Sequence, residues 1–173
     1  MITVAIVGPE SCGKTTLATA LASHFHASLV PEFSRAFLEK RGPEYSEKDL
    51  LSIAQGQIAS EELVARELPA LLICDTDLLT IRIWSEEKYG HCHPWIMQHS
   101  ERRQYDLWLL CKPDLPWEPD PLRENPDDRE RLFERYEELL DQLGKPYAVI
   151  SGAGELRTLL AIGFVEGIVA EGE

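Results

Sequence analysis

One stretch decides the fold, Ile2-Thr-Val-Ala-Ile-Val7-Gly8-Pro-Glu-Ser-Cys-Gly13-Lys14-Thr15, in which an apolar run leads into the pattern G-x-x-x-x-G-K-[ST]. A strand, a glycine-rich turn and a helix in this order are typical of a phosphate-binding loop. Glycines let the backbone wrap a phosphate closely, and the helix that we predict from Lys14 to about Phe25 presents unpaired amides to the anion. The stretch therefore predicts a site for a nucleoside triphosphate.

The residues of this loop divide the tasks of binding a nucleotide and its metal. We expect Lys14 to contact the β- and γ-phosphates, and the Thr15 hydroxyl to bind Mg²⁺ together with water and phosphate oxygens. The predicted contacts with ATP are Gly8, Glu10, Ser11, Cys12, Gly13, Lys14, Thr15 and Thr16. The loop alone does not distinguish transfer of the γ-phosphate to water from transfer to an acceptor.

Apolar runs recur along the chain at 2–7, 28–33, 70–74, 107–111 and 147–150, separated by helix-length segments. Helices are expected at 46–67, at 78–103 with a break near Gly90, at about 126–143, and from about Glu155 until the chain frays at 171–173. Strands that alternate with helices predict a parallel sheet, and the lack of polar alternation indicates strands covered on both faces. We expect an α/β fold of three layers, with a roughly five-stranded parallel sheet between helices.

The composition indicates which kind of ligand and which cellular compartment to expect. The 173 residues, 44% of them apolar, fit one domain over 1–173. Seventeen basic and thirty acidic residues give a net charge of −13, which opposes binding to nucleic acid or to an anionic membrane and favours a small-molecule substrate. No leader, membrane span or disulfide pattern is present, so we expect a cytoplasmic protein, and no pattern indicates a protein partner.

Two strand ends carry candidate catalytic groups. The run at 70–74 leads to Asp75, which we predict as the second protein ligand of Mg²⁺, with helix capping as the alternative role. After the run that begins at Ser28, Glu32 is a candidate general base and Arg35 a candidate ligand of substrate or phosphate. The alternative for these two residues is a mutual ion pair at the start of a helix.

The proline-rich segment 112–128 is predicted to be an irregular loop that acts as a lid. Arg123 lies inside it and is the candidate to stabilise charge on the transferred phosphate, since a guanidinium donates two hydrogen bonds to phosphate. Arg129 and Arg131 alternate with acids, which favours surface ion pairs for both. The candidates to stack on an acceptor ring are Trp84, Tyr89 and Trp117, and Trp84 has core packing as its alternative.

The motifs together resemble the ribosylnicotinamide kinase domain of the NadR proteins, a P-loop kinase fold. The resemblance rests on the phosphate loop, on Pro31-Glu-Phe-Ser-Arg-Ala-Phe37, on Cys74-Asp-Thr-Asp-Leu-Leu-Thr80, on Tyr105-Asp-Leu107, on Pro116-Trp-Glu-Pro-Asp120 and on Leu122-Arg123. It implies a kinase that transfers the γ-phosphate of ATP to the 5′-hydroxyl of nicotinamide riboside. Pro31 departs from the aromatic residue that the family often has before the glutamate.

The resemblance also assigns the acceptor side. It implies that Glu32, Arg35, Asp75 and Asp77 line the acceptor and that Arg123 belongs to the lid. Asp77 competes with Glu32 for the role of base. No H-x-G-H element of an adenylyltransferase is present, so a kinase without that second activity is expected. Two alternatives stay open at this stage, which are a kinase for another nucleoside and a regulatory ATP-binding module.

Overall fold

The computed structural model describes residues 1–123 and 126–171, and these form a parallel sheet with helices on both faces. The sheet has the order β2-β3-β1-β4-β5, with strands β1 (Ile2–Val7), β2 (Ser28–Val30), β3 (Leu71–Asp75), β4 (Leu107–Cys111) and β5 (Tyr147–Ile150). The helices are α1 (Lys14–Phe25), α2 (Phe33–Arg41), α3 (Glu47–Ala65), α4 (Leu78–Tyr89), α5 (Pro94–Arg102), α6 (Arg129–Gln142) and α7 (Gly154–Glu171). The predicted fold, three layers around a five-stranded parallel sheet, is confirmed.

The two faces of β1 show why the apolar runs are continuous. Val4 and Ile6 pack in the core on the side of α1 and α7, whereas Ala5 and Val7 pack in the core on the side of α4 and α6. All four side chains are fully buried. A strand covered on both faces has no solvent-facing position, so its sequence shows no polar alternation.

Several predicted boundaries were wrong. The second strand ends at Val30 rather than at residue 33, because Pro31 donates no backbone hydrogen bond and Phe33 already begins α2, a helix that was not predicted. Helix α6 begins at Arg129 rather than near 126. The break near Gly90 is confirmed, since this glycine ends α4 with a φ of 72°. Residues 124–125 of the predicted lid and residues 172–173 of the predicted frayed end lie outside the described residues.

A close contact between α2 and α3 sets the position of the second strand's end. An added Cβ at Gly56, in the middle of α3, would lie 2.2 Å from the Phe33 ring. The Phe33 amide also donates to the Gln57 side chain at 3.0 Å. Together these contacts hold Phe33, the first residue of α2 and the neighbour of Glu32, against α3. Among the described residues, no helix is long and apolar enough to cross a membrane.

We expect Gly56→Ala to destabilise the protein, although alanine normally favours a helix, because the Phe33 ring occupies the space of the new methyl group. The matched control is Gly163→Ala in α7. Among the described residues, no atom lies within 4 Å of a Cβ added there. The control should gain up to about 1 kcal/mol in the free energy of unfolding, and Gly56→Ala should lose about 1–3 kcal/mol. Urea denaturation measures both, and equal gains would contradict the contact.

Candidate active site

The phosphate loop is shaped by residues that adopt a left-handed backbone. Ser11 has a φ of 54° and Gly13 a φ of 78°. Gly8 has a φ of 138°, and a Cβ there would lie 2.6 Å from the Cys111 carbonyl oxygen at the end of β4. Gly8 therefore cannot carry a side chain without moving the loop away from the sheet. This packing holds the loop directly over the carboxyl edge of the central strands.

Lys14 places its ammonium group inside the loop. Its Nζ donates to the carbonyl oxygens of Gly8 at 2.9 Å and Pro9 at 2.7 Å. Burial alone would lower the pKa of Lys14, but the negative groups around it, Cys12 first and Glu32 and Asp75 with it, hold this pKa above its ordinary value. Lys14 is therefore a fixed cation at the place where phosphate oxygens would gather.

Thr15 and Asp75 place two oxygen-bearing side chains beside the phosphate loop. Asp75 lies opposite Ile6 in the β1–β3 register, and Ile6 precedes Gly8 by two residues. Burial raises the pKa of Asp75, and a hydrogen bond with Thr15 opposes the rise. Its Oδ1 is buried and has no hydrogen-bond partner among the described residues. A hydroxyl and an unsatisfied carboxylate oxygen fit Mg²⁺, which takes one or two protein oxygens and completes its shell with water and phosphate.

Asp77 has a different environment, although only two residues separate it from Asp75. Its Oδ1 accepts from the amides of Leu79 and Thr80 at the start of α4, and its Oδ2 accepts from Trp108 Nε1 at 2.8 Å. Burial raises its pKa to about 6. Both oxygens are occupied, and the carboxylate is not among the residues that line the cavity beside the loop. We therefore assign Asp77 as a helix cap and not as the base that competes with Glu32.

The turn between these two aspartates explains their separation. Thr76 adopts a φ of 93°, which is unfavourable for a β-branched residue, and its amide donates to the Ile6 carbonyl at 3.0 Å. A strained backbone of this kind costs about 1–3 kcal/mol and persists where the surrounding structure enforces it. The turn directs Asp75 to the phosphate loop and Asp77 into the core.

A cavity of about 390 Å³ opens over the loop and collects most of the predicted site residues. Its walls include Lys14, Glu32, Arg35, Trp84 and Arg123, together with Glu10, Ser11, Cys12, Gly13, Thr15 and Thr16. Gly8, Asp75, Asp77 and Tyr89 do not line it. A smaller cavity of about 150 Å³ shares Glu10, Leu38, Trp84 and Leu122 with the first and continues toward Tyr45 and Tyr136.

Glu32 is held at the cavity wall by a local hydrogen bond. Ser34 Oγ donates to Glu32 Oε1 at 2.5 Å, and Ser34 itself is 4% exposed. Arg35 does not pair with Glu32, because it forms an ion pair with Asp120 at 3.2 Å. The carboxylate of Glu32 therefore stays at the cavity with one hydroxyl neighbour, which suits a group that is to accept a proton.

The segment 112–123 packs on the phosphate loop through Ser11. The Ser11 hydroxyl accepts from the Glu118 amide at 2.9 Å and from Arg123 at 3.2 Å. Arg129 donates to the carbonyl oxygens of Ser11 and Leu115, and it forms no ion pair within residues 1–123 and 126–171, where a surface ion pair was predicted. Arg131 does form surface ion pairs, with Asp128 and Glu87. The guanidinium carbons of Arg123 and Arg129 lie 6.0 and 5.7 Å from the centre of the Trp117 ring.

The two remaining aromatic candidates differ. Trp84 is half-buried on α4 and lines both cavities, so it is available to a ligand. Tyr89 lines neither of these cavities, and its hydroxyl donates to the Tyr45 carbonyl at 2.9 Å. We therefore assign Tyr89 to the support of the Tyr45 loop and drop it from the proposed substrate contacts.

Sequence reasoning missed three polar residues that organise this site. Ser34 orients Glu32, Asp120 binds Arg35, and Arg157 reaches the phosphate loop from α7. The spacing of Ser34, two residues after Glu32, is a signal that could have been noticed. No local pattern connects Arg157 with Cys12, since 145 residues separate them.

These features define the class of protein, an α/β chain with the P-loop kinase fold. A sequence profile of the family described as AAA domain matches residues 3–157, and the chain belongs to this family. The resemblance to NadR proteins is confirmed: the trifunctional NAD biosynthesis/regulator protein NadR of Salmonella typhimurium is 28% identical over 127 residues. That match covers 70% of this chain and 30% of the relative, so the chain corresponds to a part of the relative.

Solved structures support the same fold. A crystal structure of NadR protein in complex with NR superposes with a TM-score of 0.80 at 21% identity, over 97% of this chain and 50% of that chain. Deoxyadenosine kinase from M. mycoides superposes with a TM-score of 0.66 at 15% identity, over 96% of this chain and all of that chain, 100%. At these identities the superpositions establish the fold.

We expect Asp75→Asn to raise the Mg²⁺ concentration needed for half-maximal activity by about tenfold or more, because it removes one charged oxygen ligand. The measurement is a titration of Mg²⁺ at fixed nucleotide, with the melting temperature as a control for folding. An unchanged requirement for Mg²⁺ would contradict the metal role and leave Asp75 as a structural carboxylate.

Proposed function

We propose that the chain is a kinase that transfers the γ-phosphate of ATP to the 5′-hydroxyl of nicotinamide riboside, giving nicotinamide mononucleotide for NAD synthesis. The observation that carries the proposal is the common cavity, in which the Glu32 carboxylate and the Lys14 loop face the same space. A switch ATPase has no need of a base and an aromatic wall beyond its phosphate loop. The similarity to NadR supports the choice of acceptor.

The proposed nucleotide contacts are the phosphate loop and its surroundings. The loop amides and the Lys14 ammonium bind the β- and γ-phosphates, and Arg123 adds a second cation from the segment above the loop. Thr15 and Asp75 would hold Mg²⁺, which neutralises phosphate charge when bound. These groups are fixed before the reaction, so little reorganisation is needed as charge develops on the transferred phosphate.

Glu32 is the proposed general base. Its carboxylate accepts the proton of the acceptor hydroxyl as the oxygen of that hydroxyl bonds to phosphorus and the bond to the leaving diphosphate breaks. Ser34 holds one carboxylate oxygen, which restricts the rotation of the side chain and directs the carboxylate to the cavity. Arg35 is anchored by Asp120 and is proposed to contact the ribose side of the acceptor.

Trp84 is the proposed contact for the acceptor's ring. It separates the larger cavity from the smaller one, and its indole offers a flat surface to an aromatic ring. A pyridinium ring carries positive charge, so the face of an indole suits it through a cation–π interaction.

A cytoplasmic location belongs to the same proposal, since all four cysteines are buried thiols without a disulfide bond.

The direct test of the proposal is ADP release with Mg·ATP and a panel of acceptors, comprising nicotinamide riboside, the common ribonucleosides and deoxyribonucleosides, and no acceptor. We expect release to depend strongly on nicotinamide riboside. Dependence on another nucleoside would overturn the choice of acceptor and keep the kinase. Release that ignores every acceptor would contradict a kinase and favour a regulatory ATPase.

We expect Glu32→Gln to lower kcat at least about tenfold with little change in the KM for ATP, because the amide keeps the shape and loses the proton acceptor. The matched control is Glu39→Gln, an exposed glutamate on α2, the helix that begins directly after Glu32. Steady-state kinetics measure both variants. A full rate in Glu32→Gln would refute the assignment of the base, whereas a loss in both variants would point to a general effect on α2.

A further inference from the structure

Arg157 lies in the first turns of α7 and is only 4% exposed. Its side chain reaches the carboxyl edge of the sheet, where it forms part of the cavity wall together with Gly154 and Thr158. Neither composition nor local spacing singled it out, and the transfer step described above does not use it. A buried arginine at the wall of a ligand cavity requires a reason.

The guanidinium connects three loops that follow three neighbouring strands. Its Nη2 donates to the carbonyl oxygens of Cys12 in the phosphate loop at 2.8 Å and of Lys112 after β4 at 3.0 Å. Its Nη1 donates to the carbonyl oxygen of Gly152 after β5 at 2.8 Å and to Asp114 Oδ1 at 2.8 Å. Asp114 Oδ2 in turn accepts from the Gly152 amide at 2.7 Å.

Only a planar group with several donors can make these contacts at once. The guanidinium presents a fixed fork of N–H groups, whereas a lysine ammonium is a single point with three donors. The ion pair joins the buried Arg157 to the exposed Asp114, and the Arg157 Nε has no hydrogen-bond partner among the described residues. Ion pairs with a buried member are weak support for stability, so the inference rests on their geometry. Asp114 satisfies the charge of Arg157, and three carbonyl oxygens satisfy its remaining Nη hydrogens.

The order of the strands indicates what this arrangement is for. β2, with Glu32 after it, lies on one side of β1, and β4 and β5 lie on the other. If phosphates occupy the loop after β1 and the acceptor lies beside Glu32, the nucleoside part of ATP must extend toward the loop after β5. The walls formed by Gly154, Arg157 and Thr158 belong to that side of the cavity.

We propose that Arg157 is a positioning residue that couples the loop after β5, which borders the nucleoside part of ATP, to the phosphate loop. The proposal rests on the proposed binding of ATP and does not depend on which acceptor is used. Arg157 and Asp114 hold the two loops at a fixed spacing, so that phosphates and nucleoside bind as a unit.

The test compares two ligands, the non-hydrolysable β,γ-imido analogue of ATP and inorganic tripolyphosphate, by calorimetry. The first spans both loops and the second occupies the phosphate loop alone. The variants are Arg157→Lys, which keeps the charge, and Asp114→Asn, which removes the negative charge and leaves one acceptor oxygen where the Gly152 amide and Arg157 each use one. The control is Arg103→Lys. Arg103 lies shortly before β4, at the opposite edge of the sheet, and pairs with the buried Glu61 of α3.

We expect Arg157→Lys to weaken binding of the ATP analogue by about tenfold or more and binding of tripolyphosphate much less. The reason is that misplacement of the loop after β5 affects only the ligand that contacts both loops. Asp114→Asn should change the ratio of the two affinities in the same direction, and Arg103→Lys should leave it unchanged. Equal weakening of both ligands, no weakening, or the same effect in Arg103→Lys would overturn the coupling. A wild-type protein that binds neither ligand would contradict the proposed function and this inference with it.

Discussion

The parallel pairing of β1 with β3 and β4 is the constraint on which the rest of the structure depends. It sets Ile6 opposite Asp75 and Val7 opposite Leu110, so the phosphate loop begins beside the Asp75 carboxylate on one side and the end of β4 on the other. Since parallel strands end at one edge, every functional group contributed by a strand end arrives at the same place. Gly8 completes the arrangement, because only a residue without a Cβ can lie against the Cys111 carbonyl.

Charge at this edge is balanced between the Lys14 ammonium and the negative groups around it. Burial lowers the pKa of Lys14, but Cys12, and after it Glu32 and Asp75, raise this pKa above its ordinary value. Burial raises the pKa of Asp75, the Thr15 hydrogen bond lowers it, and the negative charge of Glu32 raises it further. This mutual dependence makes the site an electrostatic unit, so substitution of one member changes the others. Phosphates and Mg²⁺ would bring both signs of charge into a cavity already equipped to meet them.

The sequence predicted those parts of the molecule that have a short-range cause. The phosphate loop, the buried strands and the helix expected at 46–67 each follow from residues close together in sequence, and the structure has all of them, with the last as α3 (Glu47–Ala65). Helix α2 was missed because the run from Ser28 continues past the end of the strand through Pro31 and Glu32 without a clear stop. The packing of α2 depends on Gly56, which lies far along the chain. The separate environments of Asp75 and Asp77 depend on a strained turn at Thr76, and the reach of Arg157 depends on a contact across 145 residues. Neither can be read from spacing.

The central claim is that the phosphate bound over Lys14 passes to an acceptor beside Glu32 rather than to water. The most direct measurement follows the label from ATP carrying ³²P in its γ-phosphate, with nicotinamide riboside present, and separates the products by chromatography. The account predicts that the label appears in the nucleoside 5′-monophosphate and that little appears as inorganic phosphate. Label that accumulates as inorganic phosphate at the same rate with and without acceptor would contradict it.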